Sequence, residues 1–193
     1  MAAAARTFFD RAAPEGYLSG WVGILEESSA GNESDLESVL VFRLGGEWLA
    51  LPTAVLVEVT TPRPCHRIPH RVGGVLEGIV NIRGQLHVCV SAHRLLGVDE
   101  EAPGSAAAPP ADTTRLLAVE RRPGDAADRW VFAVNDVAGV HRVERSTVRM
   151  VPSTVSHSGT RYCRALFDWQ GRVVGILDED RFFDGLVDHL ATM

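Results

Sequence analysis

Gly78-Ile79-Val80-Asn81-Ile82-Arg83-Gly84-Gln85-Leu86-His87-Val88-Cys89-Val90 decides the fold. Two runs rich in β-branched residues flank a glycine-bearing turn, which is the pattern of a β-hairpin. A three-residue loop over Arg83, Gly84 and Gln85 would set Ile82 opposite Leu86, Val80 opposite Val88 and Gly78 opposite Val90. One face is then apolar, and Asn81 and His87 lie on the other. A two-residue loop would oppose Leu86 to Asn81 and mix the faces, so the longer loop is the expectation. Arg83 then stands at the tip with Asn81 beside it. On residue chemistry alone these read as a solvated turn arginine and an outward polar residue, ahead of a partner-binding tip.

Ala165-Leu166-Phe167-Asp168-Trp169-Gln170-Gly171-Arg172-Val173-Val174-Gly175-Ile176-Leu177 repeats this stretch position for position, with Gly171 at the place of Gly84 and Gln170 at that of Arg83. Leu116 to Arg121 echoes Val39 to Leu44, and Trp130 to Val137 echoes Trp48 to Val55. Each hairpin is followed by an arginine and two large apolar residues, Arg94-Leu95-Leu96 and Arg181-Phe182-Phe183. The chain therefore holds a duplicated all-β unit of about five strands, a number that suits a small barrel. Open strand edges invite aggregation, so two such barrels are expected to pack together. The expected fold is mostly β, with two packed five-stranded barrels and short helices.

The duplication gives an organisation. Residues 1–36 form a helical extension, in which Tyr17, Leu18, Trp21, Ile24 and Leu25 recur at helical spacing. Residues 38–98 make the first barrel and 113–187 the second. The Ala-, Pro- and Gly-rich segment 99–112 is a linker. Asp184 to Met193 forms a terminal helix, and Asp178-Glu179-Asp180 is a solvated helix start.

The chain has 193 residues, 46% of them hydrophobic and 23% charged, which is globular. The net charge of −6 argues against nucleic acid, which requires a basic face. No long uncharged apolar window is present, nor is a secretory leader, and the three cysteines show no paired spacing. A cytoplasmic location follows.

Little chemistry can be assembled. Gly73-Gly74 lacks the phosphate-loop continuation, and no Gly-x-Ser-x-Gly elbow exists. Cys65-His66 with His70, or Cys89 with His93, could supply metal ligands, but so few without a second cluster read as ordinary residues. No catalytic residue, metal site or cofactor is expected, and a binding module is the reading.

The segments Val39 to Leu51, Val57-Glu58-Val59 and Gly78 to Gly84, above all the Asn81-Ile82-Arg83-Gly84 tetrad, resemble the CheW domain of bacterial chemosensory systems. The resemblance covers residues 38–187. Joined to the N-terminal extension, it is similar to the accessory coupling proteins of Wsp-type surface-sensing systems. It implies two SH3-like barrels and no catalytic activity. It also implies a scaffold between the cytoplasmic tip of a methyl-accepting receptor and the regulatory domain of a CheA-type histidine kinase. It assigns Arg83 and Asn81 to a polar interface pair, Gly84 to the turn, and Leu56 and Glu58 to a strand that faces the receptor. Ser91 and His93 depart from the family's usual continuation. The alternative is a small two-barrel ligand-binding protein or enzyme using the crevice between the barrels.

Overall fold

A computed structural model describes residues 35–69, 74–99, 113–124, 128–150 and 161–191. The chain divides into Met1–Leu36 and Glu37–Met193. The expected helical extension and almost all of the linker lie outside the described residues.

The strands are β1 (Leu36–Leu44), β2 (Glu47–Pro52), β3 (Leu56–Thr60), β4 (Cys65–His66), β5 (Leu76–Ile82), β6 (Gln85–Val90), β7 (Arg115–Glu120), β8 (Arg129–Val134), β9 (Asp136–Glu144), β10 (Arg149–Met150), β11 (Cys163–Trp169) and β12 (Arg172–Leu177). Helix α1 (Ala92–Leu96) follows β6, and α2 (Glu179–Ala191) follows β12. The fold is mostly β, as two SH3-like barrels. Each sheet has six strands, of which one, β4 or β10, is only two residues long.

The barrels do not follow the expected split at the linker. One sheet runs β3-β7-β8-β6-β5-β4 and the other β10-β11-β12-β2-β1-β9. The orders correspond strand for strand, but each repeat lends its first hairpin to the other. The β1–β2 hairpin joins the second barrel through the parallel pair β2–β12, and β7–β8 joins the first through β6–β8.

The apolar runs have a physical reason in this exchange. A strand that alternates buried and exposed residues can be half polar, whereas one covered on both faces must be apolar throughout. In β1, Val39 and Val41 point into their own barrel, while Leu40, Phe42 and Leu44 join a core shared between the barrels. In β7, Leu116 and Ala118 line the first barrel, while Leu117 and Val119 enter the shared core. Phe42, Phe132 and Phe182 form a chain there, with ring centroids 6.3 and 5.6 Å apart. Polar contacts latch the same seam. Asn135 Oδ1 accepts from the Gly45 N–H at 2.6 Å, and the Asn135 N–H donates to the Arg43 carbonyl at 2.9 Å.

The helix starts obey the repeat as well. Ser91 Oγ caps α1 by accepting from the Arg94 N–H, and Asp178 Oδ1 caps α2 by accepting from the Arg181 N–H. Helix α2 thus begins at the acidic run, in agreement with its reading as a helix start, and ahead of Asp184. Arg121 pairs with Asp180 and Asp184 at 3.3 and 2.8 Å, tying α2 to the end of β7.

Because the seam belongs to both barrels, Phe132→Ala should destabilise the whole domain by about 3–5 kcal/mol. Urea unfolding followed by tryptophan fluorescence and by far-ultraviolet dichroism should shift together, in one transition. Separate transitions for the two signals would show barrels that are stable alone.

Candidate functional site

The β5–β6 hairpin does not carry the three-residue loop expected from its hydrophobic pattern. Ile82 pairs with Gln85, Asn81 with Leu86, Val80 with His87 and Ile79 with Val88, so the loop is Arg83-Gly84 alone. Both residues have positive φ, 51° and 85°. This is the tight turn whose twist matches that of the strands, and the Gly84 N–H completes it by donating to Asn81 Oδ1 at 2.8 Å. Turn geometry therefore outweighs the uniform apolar face. A bulge between Leu76 and Gly78 shifts the pairing further along, where Cys89 enters the core of the first barrel and Val90 the core shared between the barrels. The second hairpin repeats the device, with Gln170 and Gly171 at positive φ and a register shift between Cys163 and Ala165.

The mixing of faces has two consequences. Leu86 is left 70% exposed beside Asn81, at the place where Val173 is 61% exposed in the second barrel. His87 is turned inward and buried.

Arg83 at the tip pairs with Glu58 on β3 at 2.9 Å. The arginine is 83% exposed, so the pair contributes at most about 1 kcal/mol and serves to aim the guanidinium. Arg83 also costs about 1–2 kcal/mol by standing in the left-handed region without being glycine. It divides two depressions. One, of about 400 Å3, is lined by Arg63, Pro64, His66, Asn81, Arg83 and Gly84. The other, of about 290 Å3, is lined by Val57, Glu58, Ile82, Arg83, Gln85, His87, Ala118 and Arg129.

Four of the five residues singled out in the sequence thus meet on one rim: Glu58, Asn81, Arg83 and Gly84. Leu56 does not, because its side chain packs against the shared core between the barrels. Leu86, His87 and Arg129 were missed. Arg129 reaches this rim only because β8 crosses to the first barrel, where it pairs with Glu120 at 2.9 Å. Donation from the Gly124 N–H and then from Arg129 holds the buried Glu120 carboxyl below its ordinary range.

His87 titrates below its ordinary value of 6.5, first because burial disfavours the cation, then because Arg129 is near, with Glu58 opposing. The buried thiols hold their protons: burial pushes Cys163 up to about 11 and raises Cys89 as well. A protonated buried thiol is a poor nucleophile.

Two SH3-like barrels are interlocked by exchanged hairpins, and the first carries an ion-paired arginine at a hairpin tip. The family model of the CheW-like domain matches residues 38–186. The chain belongs to the CheW-like domain family. A search of curated proteins returns no match. Among solved structures, the fold is similar to the crystal structure of the scaffolding protein TtCheW from Thermoanaerobacter tengcongensis. That chain is 18% identical with a TM-score of 0.59, over 74% of this chain and 84% of that one.

The folded state binds the His87 proton less readily than the unfolded state does. The stability from neutral His87 is therefore complete above about pH 6.5 and lost as pH falls below it. Between about pH 7.5 and 5.5 the urea midpoint of the wild type should fall further than that of His87→Gln. Equal falls in the two proteins would show that His87 stays neutral in both states or is solvated in both.

Proposed function

We propose that this protein is a non-catalytic coupling protein of a chemosensory array. It joins the cytoplasmic tip of a methyl-accepting receptor to the regulatory domain of a CheA-type histidine kinase. It acts in the cytoplasm and reaches the inner face of the membrane through the receptor. Membership of the CheW-like family supports this reading, and one observation carries it to named residues: the Leu86–Asn81–Arg83 tip. An aimed arginine is a favoured anchor at protein interfaces because the guanidinium offers several donors, and the exposed leucine beside it gains by burial.

Glu58 orients Arg83, Gly84 permits the turn, and Leu56 seats β3 against the second barrel so that Glu58 lies within reach of the tip. Among the described residues no helix is long and apolar enough to cross a membrane. The alternative of a ligand or substrate between the barrels finds little room there. Phe42, Leu51, Leu117 and Phe132 fill the shared core and are fully buried.

Arg83→Glu should weaken binding to the regulatory domain of a CheA-type kinase by about 30-fold, the effect of an anchor worth about 2 kcal/mol. The measurement is titration calorimetry beside an unchanged far-ultraviolet dichroism spectrum. Leu86→Ala should weaken binding in the same direction. Wild-type affinity in both variants would remove the tip from the interface.

A further inference from the structure

We propose that Cys65, Glu77 and Cys89 form a site for a thiophilic divalent cation, with Zn2+ as the natural fit. One sulfur from each cysteine and a carboxylate oxygen of Glu77 all lie within 4.8 Å of one another. Two sulfurs bound at about 2.3 Å in a tetrahedral shell stand roughly 3.8 Å apart, so the cluster closes on a cation with only small side-chain adjustment. Two thiolates and a carboxylate supply three ligands of the chemistry that Zn2+ prefers, and water completes the fourth position. The reading is independent of the coupling function proposed above.

Three local features build the cluster. Gly78, with φ 154°, lies between the strands that carry the two cysteines, and an added Cβ would come 2.2 Å from the His66 carbonyl oxygen and 3.0 Å from Cys65 Sγ. The missing side chain lets β4 close over β5, bringing Cys65 toward Cys89. The register shift at Leu76/Gly78 makes Glu77 the extra residue of the bulge and re-aims its carboxylate. Cys89 Sγ then donates to Glu77 Oε2 at 3.7 Å, so a thiol proton occupies the place a cation would take. Binding Zn2+ releases the protons of both thiols to the buffer. The sequence reading grouped each cysteine with a nearby histidine, but the fold joins the cysteines to each other across β5.

The internal repeat shows that the fold does not require these residues. The second barrel has Arg164 where the first has Glu77, and Ile176 where it has Cys89. Arg164 pairs with Glu37, and Ile176 lies in an apolar core. A disulfide is the other chemistry open to two thiols. Cys65 and Cys89 stand on strands that flank β5 on either side, opposite Val80 and Gly78, so their Cα atoms are separated by at least about two strand spacings, roughly 9–10 Å across the strands. That exceeds the reach of a disulfide, about 7 Å, and is easily bridged by a metal. A bound cation would pin the Arg63–His66 segment, one wall of the depression beneath Arg83.

The full chain, stripped with chelator and reduced with a phosphine, should bind Zn2+ at one equivalent in competition with a chromophoric chelator. Co2+ as a probe should give a thiolate-to-cobalt charge-transfer band in the near ultraviolet. Cys65→Ser, at an exposed position that should not disturb folding, should lose that band, whereas Cys163→Ser should keep it. Zn2+ should raise the melting temperature of the wild type and leave that of Cys65→Ser unchanged. No saturable uptake by the reduced wild type would overturn the site, as would a band retained in Cys65→Ser. Oxidation in air to a Cys65–Cys89 disulfide in protein that takes up no metal would overturn it too.

Discussion

Each barrel is closed by a hairpin that the other repeat supplies, and the strands so exchanged are covered on both faces. A single strand pair cannot bury two faces alone, so neither repeat can complete its barrel without the other. The shared core of Phe42, Leu51, Leu117 and Phe132 follows from that exchange, as do the Asn135 latch and the hold of Arg121 on α2. Duplication thus produces one cooperative body in place of two small, marginal ones.

The exchange also assembles the rim. Glu58 arrives on β3, Asn81 and Arg83 on the β5–β6 hairpin, and Arg129 on a strand borrowed from the second repeat. The tight turn adds what hydrophobic patterning alone opposes, an exposed Leu86 and a buried His87. Local rules are broken where the turn demands a particular twist, and in the first barrel the residues they leave out of place surround the candidate binding tip. At the matching position the second barrel exposes Val173 beside Asp168, whose partner is Arg149. Its tip carries Gln170 in place of an arginine, so the two barrels share a shape and present different chemistry.

The duplication, the two hairpins, the acidic helix start at Asp178-Glu179-Asp180 and the membership of the CheW-like family were all legible in the residues, because β-branched runs, turn glycines and spacing are local properties. Glu58, Asn81, Arg83 and Gly84, drawn from the tetrad and the Val57-Glu58-Val59 strand, lie together on one rim. Leu56 lies apart from them because a strand residue's face depends on register, and a bulge between Leu56 and Glu58 separates their directions. The loop length was misread for a related reason: alternation scores the faces but not the twist that favours a two-residue turn.

The sequence by itself determined the strand-rich composition, the repeat and the tip residues, since these depend on neighbours a few positions apart. Only the tertiary structure decided which hairpin closes which barrel, that Arg129 stands beside His87, and that Cys65 and Cys89 converge over Gly78. Those pairings join residues far apart in the chain. They are selected by which apolar faces can be covered together, a property of the packed whole and of no single segment.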